Sequence, residues 1–228
     1  MNSFFASVPK TQQFIEQLKA ELLLNLPGVE AHLRLAPETR INDLKIGKSD
    51  ADALESAVLI ILYEFEDRLH TVVILRNEYD GAHSGQISFP GGKSEKSDID
   101  LKFTALREAQ EEIGIIPAEM EIIGQLSRFY VMPSNFIVYP FIAYCSKRPE
   151  FHPDPFEVQR IIEIDIFTEA SFEKIEYRTF TFKNNVKVEA PGFQVGGEFM
   201  WGATAMIFSE LLQVLQNVAE KLKNNSVC

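Results

Sequence analysis

The sequence predicts an α/β domain in which a mixed β-sheet lies between helices. Apolar residues recur at helical spacing near both ends of the chain and again at 101–113. Runs rich in β-branched and aromatic residues fill most of the middle, and they alternate irregularly with the helices. The 228 residues suffice for one well-filled domain with a small appendage.

The N-terminal part is predicted to be that appendage. Residues 9–26 form an amphipathic helical pattern, which Pro27 ends. Residues 36–53 contain proline, glycine and small acidic residues, so we expect a connecting segment there. We therefore divide the chain into an N-terminal helical extension with its linker, residues 1–50, and a main domain, residues 51–228.

The main domain is predicted to begin with a β-hairpin. Its strands are Ser56 to Tyr63 and His70 to Arg76, joined by a polar turn. Residues 81–96 are rich in Gly, Ser and Pro and are predicted to form a loop, followed by a helix at 101–113 that ends at Gly114. Further strands are predicted at 121–130, 137–145, 161–166, 177–182 and 186–189, and a last helix at 203–221.

Charge and composition narrow the class of protein. The formal net charge of −11 disfavours nucleic acid and anionic membranes as partners. The longest apolar runs fall short of the roughly 18 residues that a membrane helix needs, and the N-terminus does not resemble a signal peptide. The two cysteines form no disulfide framework, so we expect a cytoplasmic protein. A small phosphorylated substrate fits the negative charge if a metal ion mediates its binding.

The helix at 101–113 concentrates negative charge on one face. At about 100° per residue, Glu108, Glu111 and Glu112 share an arc of about 100°, opposite the apolar face. Carboxylates one turn apart repel each other, so a cation is needed to offset them. Oxygen ligands of this kind suit Mg²⁺ or Mn²⁺. An acidic helix alone is more often only a solvated surface, but the glycines and the arginine around this one favour a site.

The residues before and within this helix complete the candidate site. Arg107 lies four residues before Glu111 and is expected to orient a carboxylate. Gly91 and Gly92 allow a tight turn that brings backbone close to a metal ion or a phosphate. The Gly92 carbonyl is a candidate metal ligand.

The segment resembles the Nudix hydrolases, whose box runs G-x5-E-x7-R-E-U-x-E-E-x-G-U, with U a bulky apolar residue. The matching positions here are Gly92, Asp98, Arg107, Glu108, Ala109, Glu111, Glu112, Gly114 and Ile115. Asp replaces the first Glu, and the stretch before the arginine is one residue longer. The resemblance implies a Nudix α/β/α sandwich with an additional N-terminal helix. It also implies a pyrophosphohydrolase acting on acid anhydrides of phosphorus, with the three glutamates binding Mg²⁺ or Mn²⁺.

The stretch VVILRNEYDGAHSGQISFPGG resembles the upstream signature of the coenzyme A pyrophosphatase branch, LLTxR(S/A)x3Rx3Gx3FPGG. Gly81 stands where that signature has its second arginine. The resemblance implies cleavage of coenzyme A to 3′,5′-ADP and 4′-phosphopantetheine. We expect Arg76, Gly91, Gly92 and Lys93 to contact the substrate. ADP-ribose or a related nucleotide is the alternative substrate that Gly81 favours, and a non-catalytic Nudix-fold sensor is the alternative of another class.

Several residues keep two interpretations at this level. His83 is either a solvated loop residue or a phosphate contact, and Glu157 is either a further metal-facing carboxylate or a surface acid. Trp201 either stacks on an adenine or packs in the core, and Tyr130 and Phe136 either line the pocket or pack in the core. Glu108 is the candidate general base, and the oligomeric state stays open.

Overall fold

Helices and strands alternate irregularly along the chain, as predicted. The computed structural model describes residues 11–24, 26–46, 52–78, 85–169, 171–181 and 185–225. The helices are α1 (Thr11–Leu22), α2 (Val29–Leu33), α3 (Glu38–Ile46), α4 (Leu101–Ile113), α5 (Ile166–Glu169) and α6 (Gly202–Asn225). The strands are β1 (Leu54–Phe65), β2 (Arg68–Arg76), β3 (Ile87–Ser88), β4 (Gly91–Lys93), β5 (Glu121–Gln125), β6 (Phe129–Val131), β7 (Phe136–Cys145), β8 (Val158–Asp165), β9 (Glu176–Thr181), β10 (Lys187–Val195) and β11 (Glu198–Trp201).

A large mixed sheet forms the middle layer. Its strand order is β3-β2-β1-β7-β5, with β8 paired to β2, β6 to β7 and β4 to β1. Strand β1 runs antiparallel to β2, which confirms the predicted hairpin, and parallel to β7 over its length. The predicted mixed sheet is therefore confirmed.

Strands β1 and β2 pair only near their turn, from Leu62 opposite Thr71 to Phe65 opposite Arg68. Beyond that point β1 pairs with β4, while β2 pairs with β3. The segment from β3 to β4 therefore fills the gap between two separating strands. The Leu59 amide donates to the Pro90 carbonyl at 2.8 Å and fixes the segment there. This region was predicted to be a loop, but it contributes two short strands to the sheet.

The alternation of side chains along β1 builds a core on each face of the sheet. Leu59, Ile61 and Tyr63 pack in the cluster that includes the apolar face of α4. Ile60 and Leu62 pack in a second cluster with α1 and α6. The predicted α/β/α sandwich and the additional N-terminal helix are thus confirmed.

The predicted connecting segment at 36–53 was wrong over α3, and α2 was not predicted. Pro37 precedes α3 directly, and proline is favourable at a helix start as well as in a linker. Ile41 and Leu44 then pack against the core. Helix α1 also ends at Leu22, earlier than the predicted residue 26, and the two leucines that follow it, Leu23 and Leu24, are exposed to solvent.

The N-terminal helices are fixed to α6 through a buried carboxylate. Glu210 accepts hydrogen bonds from the Gly28 amide at 2.9 Å and from the Ser127 hydroxyl at 2.6 Å, and its other oxygen lies 3.0 Å from His32 Nε2. The Ser127 amide also donates to this carboxylate. These contacts join the N-terminal helices to the rest of the fold. The division of the chain near residue 50 stays a prediction.

Two further strand predictions were wrong in detail. The run 121–130 is divided into β5 and β6, because the Ser127 amide between them bonds Glu210 instead of β7. The run 186–189 extends as β10 to Val195, and β11 follows the Gly196-Gly197 turn, where both glycines have positive φ. With β9, these strands form a separate three-stranded sheet.

Among the described residues, no helix has both the length and the apolar character needed to cross a membrane. The cytoplasmic location and the exclusion of nucleic acid stay predictions.

Gly91 is expected to be essential for the insertion of the β3–β4 segment. Its φ is +153°, and a Cβ there would lie 2.3 Å from the Ala57 carbonyl oxygen, which is backbone and cannot turn away. We expect Gly91→Ala to lower the free energy of unfolding by roughly 3 kcal/mol or more, from strain and steric overlap together. Urea denaturation followed by circular dichroism measures this.

Gly197→Ala is the matched control, because Gly197 also has positive φ (+85°) but a Cβ there meets nothing within 4 Å. It should cost only the backbone term, roughly 1–2 kcal/mol. Equal losses for the two variants would contradict the importance of the close approach at Gly91.

Candidate active site

Capping residues fix both ends of helix α4. The Asp100 side chain caps it by accepting from the Phe103 amide at 2.8 Å, and Gly114 ends it in the left-handed conformation. Ala105 and Ala109, both fully buried, face the sheet. Such small residues allow α4 to lie close to β1, so its acidic face meets the β3–β4 segment.

Arg107 contacts several groups of the acidic face. Its guanidinium forms a fork with Asp98, with Nε and Nη2 at 3.0 and 3.1 Å from the two carboxylate oxygens. It also contacts Glu108 at 2.9 Å and Glu111 at 3.0 Å, and it donates to the Lys93 carbonyl at 3.2 Å. One side chain therefore holds two of the three glutamates and the end of β4 together.

Asp98, whose role the sequence left open, is a structural partner of this arginine. It additionally accepts from the Glu95 amide at 2.9 Å and the Thr104 hydroxyl at 2.8 Å. The fork from Arg107 and these two donors hold the pKa of the Asp98 carboxyl well below its ordinary value. Its side chain is only 1% exposed, and both of its oxygens accept hydrogen bonds from Arg107.

Glu112 is the most buried of the three glutamates, with 1% of its surface exposed. The Gly91 amide donates to its Oε2 at 2.8 Å, and Arg76 Nη1 donates to its Oε1 at 3.2 Å. Burial raises the pKa of Glu112 to about 7, although Arg76 and the Gly91 amide oppose the shift. The helix, the inserted segment and the end of β2 therefore meet at one carboxylate.

Glu108 lies against the backbone of Gly92. A Cβ at Gly92 would lie only 2.4 Å from Glu108 Oε2, so a side chain here would displace the Glu108 carboxylate from its present position. Burial raises the pKa of Glu108, Arg107 opposes this, and the charges of Glu111 and Glu157 add to it. Glu111 is the most exposed of the three, with 57% of its side chain in contact with solvent.

The donor set fits a hard divalent cation, because it consists of carboxylates and backbone carbonyls. Glu157 is exposed, and its charge raises the pKa of both Glu108 and Glu112, so it faces the same region. In the described ranges, no three His, Cys, Asp or Glu side chains converge closely enough to hold a metal ion. The glutamates are paired with Arg107 and Arg76 instead, so a metal site formed by them stays a prediction.

A cavity of about 350 Å³ adjoins this site. Four predicted substrate contacts, Arg76, Gly91, Gly92 and Lys93, line it at the end near the glutamates. Most of the remaining wall comes from β1, β3, β6, β7 and the start of α6, including Val58, Val138, Thr204 and Ile207, and it is completed by Gln86, just before β3, and Trp201, at the end of β11. Except for Trp201, sequence reasoning missed these wall residues, because only the pairing of distant strands brings them together.

The aromatic candidates differ in their positions. Phe136 and Trp201 line the cavity, and Trp201 also stacks on Phe180 with a ring-centre distance of 4.0 Å. The Tyr130 hydroxyl donates to Asn135 and is not part of the cavity wall. His83 and Gly81 lie outside the described residues.

A family model and similar sequences both indicate the same protein family. Residues 53–182 match the family described as NUDIX domain, which is more than half of the chain. The uncharacterized Nudix hydrolase NudL of Pectobacterium atrosepticum is 32% identical over 145 residues, covering 62% of this chain and 73% of that protein. The human mitochondrial coenzyme A diphosphatase NUDT8 is 31% identical over 137 residues, covering 59% and 58%. The solved structure of the Nudix hydrolase RenU from M. smegmatis has a TM-score of 0.48 at 12% identity, covering 73% of this chain and 88% of that one.

The Glu112→Gln variant tests how much the buried charge of Glu112 lowers the free energy of unfolding. Because the pKa of Glu112 is about 7 in the folded protein and near 4.5 as a free side chain, the folded state binds a proton there more tightly. Wild-type stability therefore gains as pH falls from about 7 towards 4.5, and the variant lacks this gain. We expect the variant to be more stable than wild type by about 1–2 kcal/mol at pH 8, and to lose this advantage by pH 5. Urea unfolding in the presence of chelator measures it.

Glu111→Gln is the matched control, since this exposed glutamate is expected to change the free energy of unfolding by little at either pH. A Glu112→Gln variant that is less stable than wild type at pH 8 would show that this carboxylate mainly holds the fold together.

Proposed function

Because the chain belongs to the Nudix hydrolases, we propose that it cleaves the diphosphate linkage of a nucleoside diphosphate derivative, with coenzyme A as substrate. The observation that carries this proposal is the position of Glu112. Its carboxylate is buried between Arg76 and the Gly91 amide, beside Glu108 and at the end of a cavity. Burying carboxylates that repel each other lowers stability, and such groups with shifted pKa values beside a cavity are typical of functional sites.

Nudix hydrolases generally use divalent metal ions. We propose Mg²⁺ or Mn²⁺ here, held by Glu108, Glu111, Glu112 and the Gly92 carbonyl. When bound, such an ion lowers the pKa of a water molecule and neutralises charge on the leaving phosphate. The oxygen donors on α4 and β4 support this choice over a softer metal.

The protein's own residues prepare the site for the diphosphate. Arg107 holds Glu108 and Glu111 in place, while Arg76 and the Gly91 amide hold Glu112. Lys93 is exposed at the cavity rim, where its ammonium group supplies positive charge for phosphate oxygens in a chain of net charge −11. Glu108, partly buried and with a raised pKa, is the proposed general base.

Two observations support coenzyme A as the substrate. Proteins about 30% identical to this chain are coenzyme A diphosphatases, among them the peroxisomal enzyme NUDT7 of Mus musculus. The cavity beside the glutamates also has an extended, mostly apolar wall, which suits the non-reacting part of a large substrate. ADP-ribose is the second candidate, because Gly81 replaces the arginine of the coenzyme A signature. A sensor without catalysis is disfavoured, since it would have no need for the buried Glu112.

Turnover measurements test the proposal directly. Purified protein is incubated with coenzyme A, dephospho-coenzyme A, ADP-ribose, NADH and dinucleoside polyphosphates, each with Mg²⁺ and with Mn²⁺. We expect the highest kcat/KM for coenzyme A, with 3′,5′-ADP and 4′-phosphopantetheine as products identified by mass spectrometry.

A clear preference for ADP-ribose or dephospho-coenzyme A would refute coenzyme A as the substrate while preserving diphosphate hydrolysis. Binding of these compounds without turnover under any condition would instead favour the sensor. The Glu112→Gln protein, whose turnover should fall by orders of magnitude, excludes a contaminating hydrolase as the source of activity.

A further inference from the structure

Helix α6 is hydrogen-bonded to strand β3 through Thr204. This residue lies in the first turn of the helix, which begins at Gly202. Its Oγ1 donates to the Ile87 carbonyl at 2.9 Å, although the two residues are 117 positions apart in the chain. Neither the metal site nor the substrate contacts proposed above use this hydroxyl.

The register of β3 shows why the Ile87 carbonyl takes a donor from outside the sheet. Ile87 lies opposite Leu75 on β2, and the Arg76 amide donates to the Gln86 carbonyl at 3.1 Å. Hydrogen-bonded and non-hydrogen-bonded pairs alternate in an antiparallel ladder, so Ile87 falls in a non-hydrogen-bonded pair and its carbonyl points away from β2. In the part of the sheet that the structure describes, β3 pairs with β2 alone. Thr204 therefore supplies a donor on the side where no strand does.

The segment that begins at β3 carries the backbone groups of the candidate site. The Gly91 amide, four residues after Ile87, donates to Glu112 at 2.8 Å. Gly92, whose carbonyl is a proposed metal ligand, lies against Glu108. These two glycines have no side chains that could pack, so their position depends on how the residues before them are held.

Two contacts from α6 hold those preceding residues. Phe89 is buried and stacks on Phe208 with a ring-centre distance of 6.2 Å. This apolar contact keeps the segment against α6, but it is not directional. The bond from Thr204 to Ile87 is directional, and it acts on the backbone itself. It therefore determines where the backbone of the segment lies, while the phenylalanines keep the segment packed.

We propose that Thr204 is a positioning residue, whose hydroxyl holds the β3–β4 segment so that the Gly91 amide and the Gly92 carbonyl are in place for the reaction. This rests on the proposed function, because it assumes that Gly92 and the glutamates of α4 hold the metal ion. Thr204 acts through the Ile87 carbonyl, so its effect should appear in metal binding before any substrate is present.

Thr204→Val tests this, because valine has nearly the shape of threonine but no hydroxyl to donate. Its affinity for Mn²⁺, measured by electron paramagnetic resonance without substrate, should fall about tenfold, as is typical when a group that orients metal ligands is lost. At a fixed Mn²⁺ concentration, turnover of the compound that wild type cleaves best should fall as well. Thr204→Ser keeps the hydroxyl and should restore both.

Ser209→Ala is the matched control. Ser209 is also on α6, and its Oγ donates to the Ala31 carbonyl at 2.8 Å, but neither residue lines the cavity. Both Thr204→Val and Ser209→Ala remove a hydroxyl that bonds a distant carbonyl, so both should lower the urea midpoint. Only Thr204→Val should lower the Mn²⁺ affinity and the turnover.

Three results would overturn the role of Thr204: wild-type Mn²⁺ affinity in Thr204→Val, an equal loss in Ser209→Ala, or an equal loss in Thr204→Ser. A raised KM with unchanged Mn²⁺ affinity would also overturn it, since the hydroxyl would then contact the substrate directly. A wild-type protein that cleaves no diphosphate would instead refute the proposed function, and this would be seen before any variant is compared.

Discussion

The burial of the Glu112 carboxylate is the constraint on which the rest of the site depends. Three separate parts of the chain supply what it needs: α4 carries it, the Gly91 amide donates to it and Arg76 at the end of β2 pairs with it. Those donors can meet only because β1 and β2 separate and admit the β3–β4 segment between them. The sheet topology therefore also determines the geometry of the candidate active site.

Arg107 offsets the repulsion among the glutamates of α4. Three glutamates on one helical face repel each other, and this arginine contacts two of them while Asp98 fixes the guanidinium from behind. Asp98 therefore has the structural role, and we propose that Glu108 and Glu111 serve metal binding.

Local features of the site could be predicted from the sequence, but its long-range contacts could not. The arc of Glu108, Glu111 and Glu112 follows from helical geometry alone, and α4 has the predicted bounds. The Arg76–Glu112 pair depends on strand register, which pattern reasoning did not determine. For the same reason the cavity wall from α6 was missed. Helix α3 was missed because it is short and follows a proline, so its stretch of sequence resembles that of a linker.

Direct measurement of metal binding tests the central claim, which is that the glutamates of α4 hold a divalent cation. Electron paramagnetic resonance of Mn²⁺ titrated with the protein counts bound ions without reference to any substrate. We expect wild type to bind Mn²⁺, Glu108→Gln to bind at least tenfold more weakly, and the exposed loop control Glu95→Gln to match wild type. Wild-type protein that leaves Mn²⁺ free, or Glu108→Gln with unchanged affinity, would contradict the account.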